Sequence, residues 1–273
     1  MPYITTSDGT QIYYTDQGEG QPVVLSHGWP LSSDAWQVEL KLLADNGYRA
    51  IAHDRRGHGR SSQPYTGNDM DTYARDLAEL VEQLDLHDLV VIGHSTGGGE
   101  VVRYAAQNGV GRVTKVITAG AVPPIMVKSD SNPDGTPIEV FDEIRAGVLK
   151  DRSQYYLDLA VPFYGANRDG AEVSDGAKYD FWRQGMLVAL TAAYDCIKAF
   201  SETDFTDDLK ALDVPILIAQ GDDDQIVPIA DAAHKSIDLV SHGTLKVYPG
   251  APHGIYGAYQ EALDKDILAF IAG

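Results

Sequence analysis

Ser95 stands at the centre of Gly93-His94-Ser95-Thr96-Gly97, directly after the apolar run Asp88–Ile92 and just before the helical pattern Glu100–Gln107. A G-x-S-x-G pentapeptide between strand and helix implies a sharp turn that lifts the central side chain above the strand end. Glycines flank it because side chains there would collide with neighbouring backbone. The helix start offers unpaired N–H groups and a partial positive charge to a developing oxyanion. The chemistry this suggests is nucleophilic attack by a serine on an acyl carbon.

A serine hydroxyl is a weak nucleophile and needs a base within hydrogen-bond reach, and histidine titrates in the right range. The chain carries eight histidines. His94 neighbours the serine, but adjacent side chains on a tight turn are expected to point apart. His27 reads as a loop-shaping residue, His53 and His58 as structural, and His87, His234 and His242 as solvated. His253 differs, because Ala251-Pro252-His253-Gly254 follows a late strand and precedes the last helix. A loop there can lower an imidazole onto Ser95 from the same sheet edge. The carboxylate that orients it belongs between the two in chain order. Asp222, Asp223 and Asp224 all follow the strand pattern Val214–Gln220, and spacing alone does not choose among them. They lack the alternating spacing and distal Glu of a calcium loop. Two N–H donors complete the set. Thr96 supplies one, and Trp29, in the loop His27-Gly28-Trp29-Pro30, supplies the other.

The elements that must hold these residues alternate between short apolar strands and helical patterns. That is the mark of a mainly parallel sheet covered on both faces. A hairpin is expected around Asp8-Gly9, strands in QPVVLSHGWP (residues 21–30, ending in a Gly/Pro-containing loop) and VTKVITAGAVPP (residues 113–124), and helices from Ala35 and from Ala74 to Leu84. From about Val122 to Thr206 the β-rich runs disappear and helical patterns with aromatic faces take over. Residues 122–206 therefore read as a helical cap inserted into a core of residues 1–121 and 207–273. Trp29, Pro30, Phe163, Trp182, Met186, Ile226 and Val227 are candidate walls of a small apolar pocket.

Composition bounds the rest. A chain of 273 residues with 44% hydrophobic residues can bury a large core without disulfides or structural metal. Its formal net charge of −19 repels phosphate backbones and anionic lipid heads, so neither nucleic acid nor membrane is an expected partner. The single cysteine, Cys196, lies in an apolar-periodic stretch and reads as a buried inert thiol. No Cys/His cluster has zinc spacing, so no metal site is expected. The polar start of the chain carries no signal-like core, and no apolar run approaches the about 20 residues of a membrane helix. A cytoplasmic location is the expectation.

Taken in order, HGWPLSSDAW, DRRGHGRS, GHSTGGGE, GDDDQIVP and APHG resemble the bacterial cofactor-free (non-heme) haloperoxidases and aryl esterases of the α/β-hydrolase superfamily. The resemblance runs nearly end to end. It implies an α/β-hydrolase fold with a mainly parallel eight-stranded sheet, helices on both faces and an inserted helical lid. It also implies a Ser95–Asp224–His253 triad, selecting the last of the three aspartates, and an oxyanion hole from the backbones of Trp29 and Thr96. Pro30 fits the subset that carries proline after the aromatic of the oxyanion loop. Such enzymes cleave small esters and form peracids from carboxylic acids and hydrogen peroxide, with no cofactor and no metal. The implied partners are a small ester or carboxylic acid, water or hydrogen peroxide, and further copies of the chain in a homo-oligomer. A lactonase, an amidase or a carbon–carbon hydrolase would use the same triad, and a ligand-binding receptor could keep the fold without the chemistry.

Overall fold

The computed structural model describes residues 2–255 and 258–273. Residues 1, 256 and 257, which the expected core segments include, lie outside the described residues. Eight strands form one sheet: β1 (Tyr3–Thr5), β2 (Gln11–Gln17), β3 (Gln21–Ser26), β4 (Tyr48–His53), β5 (Leu89–His94), β6 (Val113–Ala119), β7 (Ile216–Gly221) and β8 (Gly243–Tyr248). Their spatial order is β1-β2-β4-β3-β5-β6-β7-β8. The hairpin pair β1–β2 and the pair β2–β4 are antiparallel, and the other five pairs are parallel. Parallel neighbours require crossover connections, which is why helices fill the intervals.

Each central strand is buried on both faces. In β3, Val23 and Leu25 join one apolar cluster while Val24 joins another; in β5, Val90 and Ile92 divide from Val91 in the same way. One face is covered by α1 (Gln37–Asp45) and α9 (Ala258–Ala272), through Leu40, Leu43, Leu263 and Ile267. The other is covered by α2 (Met70–Gln83), α3 (Thr96–Gln107) and α8 (Ala233–Ile237), through Leu77, Val101, Tyr104 and Ala233. Helix α2 starts four residues before the expected Ala74 because Asp69 caps it, accepting from the Thr72 N–H at 2.9 Å.

Between β6 and β7 the chain leaves the sheet for α4 (Ile138–Phe163), α5 (Asp175–Met186), α6 (Leu190–Glu202) and α7 (Thr206–Ala211). Helix α4 is two helices joined at Asp151, whose φ of −161° and ψ of 85° are extended. Asp151 caps the second half by accepting from the Gln154 N–H at 3.0 Å. Phe141, Tyr156, Phe163, Phe181 and Cys196 from these helices share one buried cluster with α2 and α3. Among the described residues, no helix is long and apolar enough to cross a membrane.

From β3 the chain turns to β4 on one side, and β5 lies on the other. Strand order reverses there, and in open α/β sheets the crevice beyond the strand ends at such a point is where ligands bind. The loop after β3 begins at His27 and the turn after β5 holds Ser95.

Candidate active site

Ser95 sits between β5 and α3 with φ 54° and ψ −120°, a conformation that costs a residue with a side chain of order 1–3 kcal/mol. The turn is held by the Ser95 N–H donating to the Ala119 carbonyl at 3.0 Å and by the Gly98 N–H donating to the Ser95 carbonyl at 2.9 Å. Glycine is dictated on both sides by close approach. A Cβ on Gly93 would lie 2.3 Å from the Gly97 carbonyl oxygen, and one on Gly97 would lie 2.2 Å from that of Ser26.

His253 follows β8 and is buried, and its Nδ1 donates to Asp224 Oδ2 at 2.7 Å. This bond puts the proton on Nδ1 and leaves Nε2 as the free lone pair. Nε2 is buried and has no partner among the described residues, so its hydrogen bond with Ser95 Oγ is not formed in this structure. Bonds of this kind are often loose before substrate arrives and tighten in the productive complex. Asp224 Oδ1 accepts from the Ile226 N–H at 2.9 Å and the Val227 N–H at 2.8 Å. Burial pushes the Asp224 carboxyl up, but attraction to His253 and the hydrogen bonds from His253, Val227 and Ile226 hold it below its ordinary value. The other two aspartates face elsewhere. Asp222 accepts from the Gly250 N–H at 2.6 Å, and Asp223 pairs with Arg168 through bonds of 2.6 and 2.5 Å.

Ser95, Thr96, Trp29 and His253 line one cavity of about 90 Å³. Neither the Thr96 N–H nor the Trp29 N–H has a partner among the described residues. The peptide that carries the Trp29 N–H is fixed from behind. His27 Nδ1 donates to the Gly28 carbonyl at 2.8 Å, and His27 Nε2 accepts from the Arg55 N–H at 3.0 Å. Burial and the nearby Arg55 charge keep His27 well below its ordinary pKa, so it stays neutral and holds this tautomer. Arg55 Nη2 also donates to the His27 carbonyl at 2.7 Å, while Arg55 Nε donates to buried Glu100 at 2.7 Å. Glu100 takes a further bond from Ser26 at 2.7 Å. Burial opposes its charge, yet Arg55 and His53 bring its pKa down to about 2.

Of the expected wall residues, Trp29, Phe163, Ile226 and Val227 line this cavity. Three do not. Pro30 is buried against Gly185, Trp182 turns its Nε1–H to Ser153 Oγ at 3.0 Å, and Met186 packs against the helical cluster. Their places are taken by Val140, Phe141, Ile144, Tyr155 and Leu159 of α4 and by Phe200 of α6. Spacings of three and four residues within each half of α4 put these side chains on shared faces, a signal present in the sequence. Among the described residues, no group of three or more His, Cys, Asp or Glu side chains is placed to hold a metal ion.

Residues 21–257 match the model of the alpha/beta hydrolase fold. The chain belongs to the α/β-hydrolase family. Within it, the chain is 59% identical to a non-heme chloroperoxidase of Streptomyces lividans over 99% of both sequences. It is 51% identical to a bifunctional esterase/perhydrolase of Acinetobacter calcoaceticus, again over 99% of both. Among solved structures, a bromoperoxidase from Bacillus anthracis superposes with a TM-score of 0.93 at 37% identity, covering 97% of this chain and 96% of the other. For an α/β-hydrolase, a serine, a carboxylate and a histidine following β5, β7 and β8 stand in the chain order typical of the fold.

Proposed function

We propose that this chain is a serine carboxylic-ester hydrolase that also makes peracids, with Ser95 as nucleophile, His253 as base and Asp224 as the orienting carboxylate. The observation that carries the reading is His253 itself: Nδ1 is committed to Asp224, and Nε2 is unpaired in the cavity that Ser95 also lines. Ser95 Oγ attacks the acyl carbon as Nε2 takes its proton. The Trp29 and Thr96 N–H groups bind the oxyanion, a role in which one donor is typically worth about 100- to 1000-fold in rate. Nε2 then protonates the leaving group. Water resolves the acyl-enzyme to an acid, and hydrogen peroxide resolves it to a peracid. The names of the chloroperoxidase and esterase/perhydrolase relatives support both outcomes. A cavity of about 90 Å³ walled by apolar side chains suits a short acyl group. Residues 122–206 act as a cap whose α4 and α6 close that cavity over the sheet edge.

The test is covalent capture. An alkyl phosphonate should add one label per chain and stop hydrolysis of p-nitrophenyl acetate, and Ser95→Ala should take no label. Labelling that survives in Ser95→Ala overturns the assignment.

A further inference from the structure

We propose that a second cavity, between α1 and α9, holds the water or hydrogen peroxide that resolves the acyl-enzyme; this rests on the acyl-enzyme reading above. The cavity has about 90 Å³; His94 and Phe163 line it, and Phe163 also lines the one that Ser95 lines. Exposed Ala35 forms part of its wall and places its mouth at the surface.

Its polar groups define the ligand. Trp36 Nε1 and Glu39 Oε2 are buried and have no partner among the described residues. Three residues apart at the start of α1, they fall on one face, and both residues line this cavity. Glu39 Oε1 is engaged from α9 by Gln260 Nε2 at 2.8 Å, which leaves Oε2 for a guest. Buried polar atoms are normally satisfied by protein or by ordered solvent. This volume is several times the about 10–15 Å³ that one water needs. An indole N–H can only donate, whereas burial first, with the nearby Asp264 charge, lifts the Glu39 carboxyl to about 7 and lets it donate or accept near neutrality. A small uncharged molecule that both donates and accepts satisfies the pair. Water and hydrogen peroxide do so; an acyl chain does not.

The cavity is walled by neighbours of the reaction centre. The Phe163 ring lines both cavities. His94 gives its Nε2–H to the His253 carbonyl, which leaves Nδ1 as an acceptor on the Gly28 side. A Cβ on Gly28 would lie 2.9 Å from that Nδ1 and 3.0 Å from Ser95 Cβ, so the missing side chain marks the seam between the second cavity and the nucleophile. The arrangement solves a problem of access. Once the acyl group fills the first cavity, the second nucleophile needs a route the acyl chain does not block. An oxygen of water or peroxide then attacks the acyl carbon and its proton passes to His253 Nε2. The carbon–Oγ bond breaks, the proton returns to Oγ, and acid or peracid leaves.

The experiment measures the lifetime of the acyl-enzyme, by quenching p-nitrophenyl acetate turnover and weighing the intact protein. Ala35→Leu, at the exposed mouth, should lengthen that lifetime about fivefold while the rate of p-nitrophenol release in the acylation phase stays the same. Trp36→Phe keeps the ring but removes the donor. It should shift the peracid-to-acid ratio at fixed peroxide by about twofold or more. Unchanged lifetime and unchanged ratio in folded variants overturn the proposal, and Trp36→Phe alone decides it should Ala35→Leu not fold. Failure of the parent reading looks different: neither acyl-enzyme nor phosphonate adduct forms on Ser95.

Discussion

His94 Nε2 donates to the backbone carbonyl of His253 at 3.1 Å, and the two rings lie 4.8 Å apart. The residue beside the proposed nucleophile therefore grips the loop that carries the proposed base. Burial, followed by repulsion from His253, lowers His94 to about 3, so it remains a neutral donor at ordinary pH. His94→Phe removes the donor and keeps an aromatic ring. With a net hydrogen bond worth about 1 kcal/mol, kcat/KM for p-nitrophenyl acetate should fall about five- to tenfold. His94→Gln, which restores an N–H donor, should recover part of the loss. Full activity in His94→Phe with loss only in His94→Gln would show that the ring, not the bond, matters.

The three consecutive aspartates should separate sharply in kinetics. Asp224→Asn keeps the shape but presents an amide to His253 Nδ1 and favours the wrong tautomer, a change that costs about 10⁴ in kcat in the comparable serine-protease triad. Asp223→Asn loses only a pair with Arg168, whose side chain is 48% exposed, and such pairs contribute about 0–1 kcal/mol. It should stay within a few-fold of the parent. Steady-state kinetics of the two variants side by side checks the assignment.

What could be read from the sequence, and what could not, follows from the range of each signal. The turn at Ser95 was legible because strand, glycine pair and helix are contiguous, and β3 and β5 because strands covered on both faces are continuously apolar. The choice among Asp222, Asp223 and Asp224 was not, since their partners come from two distant segments, Arg168 after α4 and Gly250 and His253 after β8. The cavity wall failed for a different reason. Val140, Phe141, Ile144, Tyr155 and Leu159 carry an amphipathic spacing, but that spacing says only which face is buried, not whether the face packs on the core or walls a cavity. Neighbouring side chains on a tight turn point apart, which argues against His94 as the base for Ser95. That holds for side chain against side chain, but it does not consider a backbone carbonyl from residue 253.

Acid should unfold this protein through its buried neutral histidines. Burial is the first cause of depression at each of three sites: His58 falls to about 3, with Arg55 adding to it; His94 falls to about 3; and His27 lies well below its ordinary value. Between the ordinary pKa of 6.5 and those folded values the unfolded chain binds protons that the native chain refuses. Stability must then drop as pH falls below about 6.5, by several kcal/mol in total. Chemical denaturation at pH 7 and pH 5 measures it. Equal midpoints at the two pH values would contradict neutral burial.

Glu39 should act with the opposite sign. Burial raises its carboxyl from 4.5 to about 7, with the Asp264 charge adding to the rise and the Gln260 hydrogen bond opposing it. Between those values the native state keeps a proton that the unfolded state has released. Its contribution to stability is therefore fully present below pH 4.5 and declines until pH passes about 7. A rise of this size corresponds to at most about 3 kcal/mol. Glu39→Gln removes the ionisation while keeping an acceptor for Gln260. The variant should match the parent near pH 4 and exceed it in thermal midpoint at pH 8. Comparing variant with parent isolates Glu39 from the histidines, because the substitution leaves their contribution the same in both proteins. A variant that is less stable than the parent at pH 8 would mean that the ionised carboxylate is itself held by a favourable partner, and the cavity beside Trp36 is the place to look for it.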